Sequence, residues 1–517
     1  MLYPDEIQGY PIKFLRLMEG LEDQIIRDTA KSLTKLQEVN ETSLYRFELL
    51  NEMGLNGNRI QKKLAAEIEQ MSDEVIGMYE EAARKAYSED QRAFSAVYKL
   101  KDYEDNDLIQ RIVSGIEKQT KGSFLNLSNT TGFIYNNKFL ALSDYLRKMT
   151  DQVVFNVTTG AYTTEAMVRK AVDDLGDHGI QVLDFKRGVH RRIDGHIRTL
   201  IRTGLNQLSN EISKANIEDS GNCYVETSAH SGARPSHQVW QGQVFYWAEM
   251  DNSGDGNKDN YPDFVDSTGY GTGAGLGGWN CRHSFHNFYP GISRRAYSKK
   301  QLENIDPEPF EYKGKEYDAY DASQRQRQLE RNIRASKRRI VGYDTIGDQE
   351  AFILESIKLN RLRENYEGFI RASKNTATRE RFKISGYNRS IQSKAVWENR
   401  KVNENPILAK IINKNWSFGF KKKAIGTYNA FEKEGFIMGD HFIGRFLQRQ
   451  ESKGHVSLTI EDALAIINGR PNFSEDGYKS VYFSKKKQFA CIKNDITGEF
   501  ITFVRRKNKK KGWVESD

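Results

Sequence analysis

The chain is poor in proline, poor in cysteine and free of long apolar runs. Nine prolines in 517 residues fall well below the ~5% typical of proteins. Scarcity of a helix-breaking residue leaves room for many long helices. Three cysteines, Cys223, Cys281 and Cys491, cannot build a disulfide framework, which points to a reducing compartment. No stretch approaches the ~18–20 apolar residues of a membrane-spanning helix, so no membrane span is expected. The start, Met1-Leu2-Tyr3-Pro4-Asp5-Glu6, has no basic segment followed by an apolar one, so export by a signal peptide is not expected. Hydrophobic residues reach only 38%, against ~45–50% in typical proteins. The chain reads as soluble, and its length suggests roughly three to four folding units.

What is abundant is charge, at 29% of residues, with a net of +8. The distribution is polarised. Residues 1–318 hold 38 Lys and Arg against 47 Asp and Glu, a net of −9. Residues 319–423 hold 24 against 11, a net of +13, and residues 424–517 hold 16 against 12, a net of +4. The basic part is either a nucleic-acid contact or a solvated helix face.

The fold class expected is multidomain and mainly α, with an irregular Gly- and aromatic-rich Cys/His segment and a small C-terminal α+β domain with an antiparallel sheet. Residues 1–215 read as a helical body. Ile60, Leu64, Ile68, Met71 and Val75 share one helix face, and so do Ile193, Ile197, Ile201 and Leu205. Thr163–Val168 opens another helix that Gly176 can close, and only the neighbourhood of 124–139 looks β-rich. Residues 216–300 lose helical period and carry eight glycines within 252–280. Residues 301–385 read as a basic helical hairpin. Arg331, Arg334 and Arg338 on its first arm are nucleic-acid candidates. Residues 386–424 read as a linker. In 425–517 two helices, at 441–450 and 460–468, precede strands at 479–484, 488–493 and 499–506.

Cys223, His230, His237, Cys281, His283 and His286 fall within 64 residues and make up half of the chain's twelve Cys and His. Such a set either binds a structural zinc ion or pins an irregular loop by hydrogen bonds. The spacing matches no CxxC…CxxC pattern. Asp251-Asn-Ser-Gly-Asp-Gly256 imitates the start of a calcium loop, but Pro262 stands at the twelfth position, where the bidentate Glu belongs, so a polar turn is favoured. The glycines of 269–278 precede no Gly-Lys-Ser/Thr and make no phosphate loop.

The stretch from Glu226 to Phe245, with Gly-Ala-Arg-Pro-Ser-His and Trp-Gln-Gly, then Gly275–Phe285 with Asn-Cys-Arg-His, and Tyr289-Pro-Gly291, resembles the phage minor capsid protein 2 family, akin to Mu F-like minor head proteins. The likeness covers roughly residues 1–385, including the basic 326–334 segment. It implies a few-copy head protein next to the portal, acting in head assembly or DNA delivery. The implied setting is the virion and, during assembly or after delivery, the host cytoplasm. The implied partners are portal and capsid proteins. The family motif falls on His230, Arg234, His237, Trp240, Gln241, Gly242, Asn280, Cys281, Arg282 and His283.

Residues 424–517 lie beyond that likeness. His441, Arg445 and Arg449 recur at i, i+4 and i+8 and line one helix face. A histidine can move a proton, and guanidiniums can hold phosphate and stabilise its transition-state charge. Lys487 and His455 are further catalytic candidates. Thr502, on the face of Phe500 and Val504, could contact a phosphate. Arg505, Arg506 and Lys507 open a basic tail suited to DNA or RNA. By element order the unit resembles the barnase/EndoU/colicin/RelE-like nuclease domains at the ends of phage head proteins and toxins. That implies a metal-independent, cofactor-free ribonuclease, with any immunity protein encoded elsewhere. A non-catalytic binding domain and another toxin chemistry remain open at this level.

Overall fold

The architecture is that of a computed structural model. It describes residues 1–517 except 35–42, 96, 136–137, 142–143, 146, 150, 153–163, 185–188, 253, 255, 378, 385, 451–456 and 517. The chain divides into two compact units: residues 1–346 with 362–387, and residues 347–361 with 388–517. The mainly α expectation holds, and among the described residues no helix is long and apolar enough to cross a membrane.

The larger unit is built on the helices Pro11–Thr34, Ser43–Phe94, Asp107–Thr130, Thr164–His178, Ile193–Ser220 and Ala319–Ile346. Ile193–Ser220 is enclosed along much of its length. Its Ile193, Ile197, Ile201, Leu205, Leu208 and Ile212 are all fully buried, which follows from their three-to-four-residue spacing. It stops at Gly221, whose φ of 67° is the left-handed cap that glycine adopts without a Cβ penalty. The helix also buries polar side chains, and each needs a partner. Ser213 and Asn216 reach Asp90 at 3.0 and 2.9 Å, and Asn206 reaches the His283 carbonyl at 2.8 Å.

Among the described residues three small antiparallel sheets complete this unit, one of them the hairpin Phe310–Tyr312 with Lys315–Tyr317. Another has the strand order Lys138–Ala141, Thr131–Tyr135, Gln181–Asp184, Val189–Arg192. Its first two strands fall where β structure is expected, and the other two were not anticipated. The third pairs Tyr224–Thr227 with Val244–Tyr246 on one side and Phe285–Asn287 on the other. It joins the two separated halves of the motif. The irregular 216–300 segment is therefore part of the larger unit, and so is the first arm of the basic hairpin.

That arm departs from a nucleic-acid face. Arg334 and Arg338 are 3% and 1% exposed. Arg334 pairs with Glu19 at 2.8 Å and with Asp194 at 2.9 Å. Arg338 pairs with Asp23 at 3.0 Å and also with Glu22. The acidic front of the chain thus neutralises part of the basic back internally. This corrects the nucleic-acid assignment of Arg334 and Arg338, because a buried guanidinium already paired with carboxylates offers nothing to a phosphate. Arg331 remains exposed.

The smaller unit corrects the linker assigned to 386–424. Helices Arg389–Glu404, Pro406–Asn413 and Phe418–Lys433 run through it, capped by Asn388, Asn405 and Ser417. Their Val402, Leu408, Ile411, Ile412, Ala424 and Ile425 enter the same core as Phe442, Phe446, Phe489, Phe500 and Phe503. Their surrounding polarity masked this sparse apolar stripe. The expected helices appear as Asp440–Arg449 and Ile460–Ile467. The expected strands appear as Lys479–Ser484, Phe489–Asn494 and Glu499–Arg505. Three more strands extend them to a six-stranded sheet, with Ile437–Met438 parallel to Glu499–Arg505.

Candidate functional site

The motif residues converge inside the larger unit. His237 ends the short helix Pro235–Gln238, while Cys281 and His283 precede the strand Phe285–Asn287. All three are buried, at 2%, 2% and 1% exposure. The Cys281 Sγ lies 3.8 Å from His237 Nδ1 and 3.6 Å from His283 Nδ1, and the two Nδ1 atoms are 3.4 Å apart.

The outer nitrogens fix the tautomers. His237 Nε2 is 2.9 Å from the Ala274 carbonyl, which can only accept, so Nε2 carries the proton. His283 Nε2 is 3.2 Å from Gln241 Oε1, and that oxygen also accepts the His230 backbone N–H at 3.1 Å. Both Nδ1 lone pairs therefore point at each other and at the sulfur. Burial raises the Cys281 thiol, and its single proton can satisfy one nitrogen only. Burial also lowers His237 and His283, so neither ring supplies a second proton there.

A bound cation would resolve that conflict. Zn–N bonds of ~2.0–2.1 Å and a Zn–S bond of ~2.3 Å in tetrahedral geometry give N···N edges of roughly 3.3 Å and N···S edges of roughly 3.6 Å. The observed spacings match one face of that tetrahedron. Carbonyl partners on the outer nitrogens are the outer-shell arrangement that orients metal-binding histidines. Donor set and geometry thus fit zinc, with a fourth position left for another ligand.

Local sequence explains the placement. The glycines of 269–278 fold back on themselves so closely that a Cβ at Gly275 would meet the Gly269 carbonyl oxygen at 1.9 Å. This compact turn is what presents the Ala274 carbonyl to His237. Trp240, 4% exposed, packs its ring 4.6 Å from that of His237 and 4.7 Å from that of His283. Arg234 donates to the Trp279 carbonyl at 2.7 Å, and Asn280 takes a φ of 56° just before Cys281.

The other metal candidates lie outside the trio. His230 stacks on His283 with ring centroids 4.3 Å apart, while its Nδ1 sits 2.9 Å from the Ser231 carbonyl and 3.0 Å from Arg282. Burial and Arg282 push its pKa down to about 4. His286 faces Glu226 at 3.4 Å. Cys223 is buried beside the central strand and does not join the cluster. Asp251 accepts from Gly256 N–H at 2.9 Å and from Tyr246 OH at 2.9 Å, a polar turn; Ser253 and Asp255 fall outside the described residues.

The C-terminal candidates do not converge. Strand Glu499–Arg505 carries a bulge, because Ile492 pairs with Thr502 but Lys493 pairs with Phe500. The extra residue breaks simple alternation. Phe500 and Phe503 enter the main core, whereas Ile501 and Val504 join Val481, Ile492 and Trp513 on the other side. Thr502 stands opposite Ile492 and takes that other side. This corrects the expectation that it shares a face with Phe500. The helix bearing His441 and Arg445 buries Phe442, Ile443 and Phe446 in the main core, so Thr502 and His441 belong to opposite faces of the sheet.

Other partners are engaged. Lys487 pairs with Asp462 at 2.7 Å. Arg505 donates to the carbonyls of Arg449, Gln450 and Lys487 at 2.9, 2.6 and 3.2 Å. It caps the helix end, which removes it as a nucleic-acid contact. Arg506 lies over the Trp513 ring at 5.5 Å, and Lys507 is exposed. His441 is exposed, and partial burial followed by Arg445 and Lys414 lowers its pKa. His455 lies outside the described residues.

Sequence reading missed Arg191, Arg198 and Arg202, which meet Arg282 of the motif and Arg327 of the basic arm. Arg191, Arg198, Arg202, Arg282 and Arg327 line a cavity of about 520 Å³ together with the metal-fitting trio and Arg331. The only local signal was like charge at i, i+4, in Arg198/Arg202 and Arg327/Arg331.

Comparison with known proteins bears on the same residues. A "Structural protein" of Lactococcus phage LL-H is 26% identical over 222 residues, covering 42% of this chain and 53% of its own length. The chain thus matches about half the length of that curated relative. No solved structure matches significantly. The family described as phage minor capsid protein 2 matches residues 2–371. That span holds the whole Cys/His cluster and its supporting helices, and the chain belongs to this family.

Proposed function

We propose that the protein is a minor structural component of the phage head, acting beside the portal in head assembly or DNA delivery, with its body pinned by zinc on His237, Cys281 and His283. The observation that carries this reading is where the family-motif residues lie. His237, Trp240, Gln241, Cys281 and His283 among them are buried at the junction of helix Ile193–Ser220, the glycine turn and the three-stranded sheet, as a structural hub would be. Zinc there would hold two histidine lone pairs and a thiolate that otherwise oppose each other. The proposed setting is the virion, with portal and capsid proteins as partners.

Two measurements test it. Protein purified without chelator should contain about one zinc per chain, and Cys281→Ala should lose the metal and melt at lower temperature. Heads assembled without this chain should be malformed or lack DNA. Normal, filled heads in its absence would remove the assembly role.

For the C-terminal unit the non-catalytic binding reading is favoured, because Thr502 and His441 stand on opposite faces and Lys487 is engaged by Asp462. The basic row His441, Arg445 and Arg449 and the tail at Arg506 and Lys507 would then contact DNA or RNA. The ribonuclease reading keeps one specific support, an exposed histidine with lowered pKa beside Arg445. Full-length protein should leave RNA intact; cleavage abolished by His441→Ala would reinstate the nuclease and call for an immunity partner.

A further inference from the structure

The cavity beside the Cys/His trio carries an unbalanced charge. Arg191, Arg198, Arg202, Arg282, Arg327 and Arg331 line it, and among the described residues no Asp or Glu does. Arg202 is the deepest, at 7% exposure, and its Nε has no hydrogen-bond partner among the described residues. No hydrogen bond or ion pair among the described residues engages Arg327 either. This contrasts with Arg334 and Arg338 on the same helix, whose carboxylate partners are in place. Burial, then repulsion from Arg327, Arg198 and Arg282, pushes Arg202 down to about 8. Burial, then Arg198 and Arg381, pushes Arg327 down to about 9. Arginine does not give up its proton in proteins, so a bound anion, rather than neutralisation, would relieve this repulsion.

Asp194 and Glu330 line a separate neighbouring cavity of about 140 Å³. They share Arg198, Arg327 and Arg331 with it but do not reach Arg202. The guanidiniums approach from two helices, the motif loop and the strand Val189–Arg192, and Arg191 and Arg331 are exposed. A carboxylate offers two oxygens and one charge. A phosphoryl group offers three acceptor oxygens and up to two charges on one centre, which suits several forks converging from different directions.

We infer that this cavity is a binding site for a phosphoryl group, seated on Arg202 and held by Arg198, Arg327 and Arg331. The group comes either from a free phosphate compound or from a nucleic-acid strand. The inference does not rest on the head-assembly reading or on zinc.

The test is titration calorimetry and thermal melting of the full-length protein. The probes are inorganic pyrophosphate, a 5′-phosphorylated oligonucleotide, the same oligonucleotide dephosphorylated, and a glutamate-rich peptide. Pyrophosphate or an oligonucleotide should bind and raise the melting temperature. Arg202→Gln should weaken that binding by about tenfold or more, the worth of a charge-assisted pair. It should also raise the melting temperature of the ligand-free protein, since it removes an unpaired buried charge. If Arg202→Gln fails to fold, Arg327→Gln and the exposed Arg331→Gln should each weaken binding while the fold is retained. Pyrophosphate binding alone assigns a free phosphate compound, and equal binding of both oligonucleotides assigns the strand backbone. Three results overturn the inference: no phosphate probe binding, binding undiminished in every arginine variant, or the glutamate peptide alone binding.

Discussion

At the scale of single residues, charge placement dominates. Arg338 is 1% exposed and answers Glu22 and Asp23, so its removal takes a fully buried cation away from two buried carboxylates. Breaking such a pair from one side costs about 3–5 kcal/mol. Urea unfolding of Arg338→Ala should show that loss in the larger unit. Asp194 adds a pH signature. Burial alone would raise its carboxyl, but Arg334, Arg192 and Arg198 outweigh burial and hold it far below the ordinary carboxylate range. Its folded value lies below the unfolded one of ~3.9, so its stabilisation is complete above that pH and declines as pH falls. The gap in melting temperature between wild type and Asp194→Asn should be widest near neutrality and narrow below about pH 4.

At the scale of elements, the glycine turn and the bulged strand decide what the site is. A Cβ at Gly275 would sit 1.9 Å from the Gly269 carbonyl oxygen, far inside contact distance, and backbone cannot give way cheaply. Gly275→Ala should therefore displace the Ala274 carbonyl from His237. A lowered melting temperature and reduced zinc content would be measured together; unchanged zinc would show that the turn does not orient the ligand. The helices were legible from apolar spacing, as Ile193, Ile197, Ile201 and Leu205 illustrate. The bulge at Ile501 was not, because one extra residue leaves composition and pattern unchanged while it reverses the face of Thr502.

At the scale of the whole molecule, two cores stand apart in composition. The smaller unit has its own core around Phe442, Phe446, Phe500 and Phe503. Phe442→Ala should destabilise that unit by about 3–5 kcal/mol. Calorimetry should then show a transition of the smaller unit moving down while the transition of the body stays in place. A single transition shifting as one would mean that the two units unfold together.

The sequence by itself determined the mainly α body, three central strands of the C-terminal unit, the family and the set of Cys/His candidates. Periodicity and a dense motif are local properties, and local properties survive in a linear string. Tertiary structure alone decided which of those residues meet. It placed His237, Cys281 and His283 together, left His286 with Glu226 and Cys223 apart, and set Thr502 away from His441. It also decided the meaning of the basic stretch, pairing Arg334 and Arg338 with acids some 140 to 320 positions away in the chain while leaving Arg202 without an acidic partner among the described residues. Charge neutralisation and metal geometry depend on distances of a few ångströms between residues far apart in sequence, and no count of charges along the chain contains them.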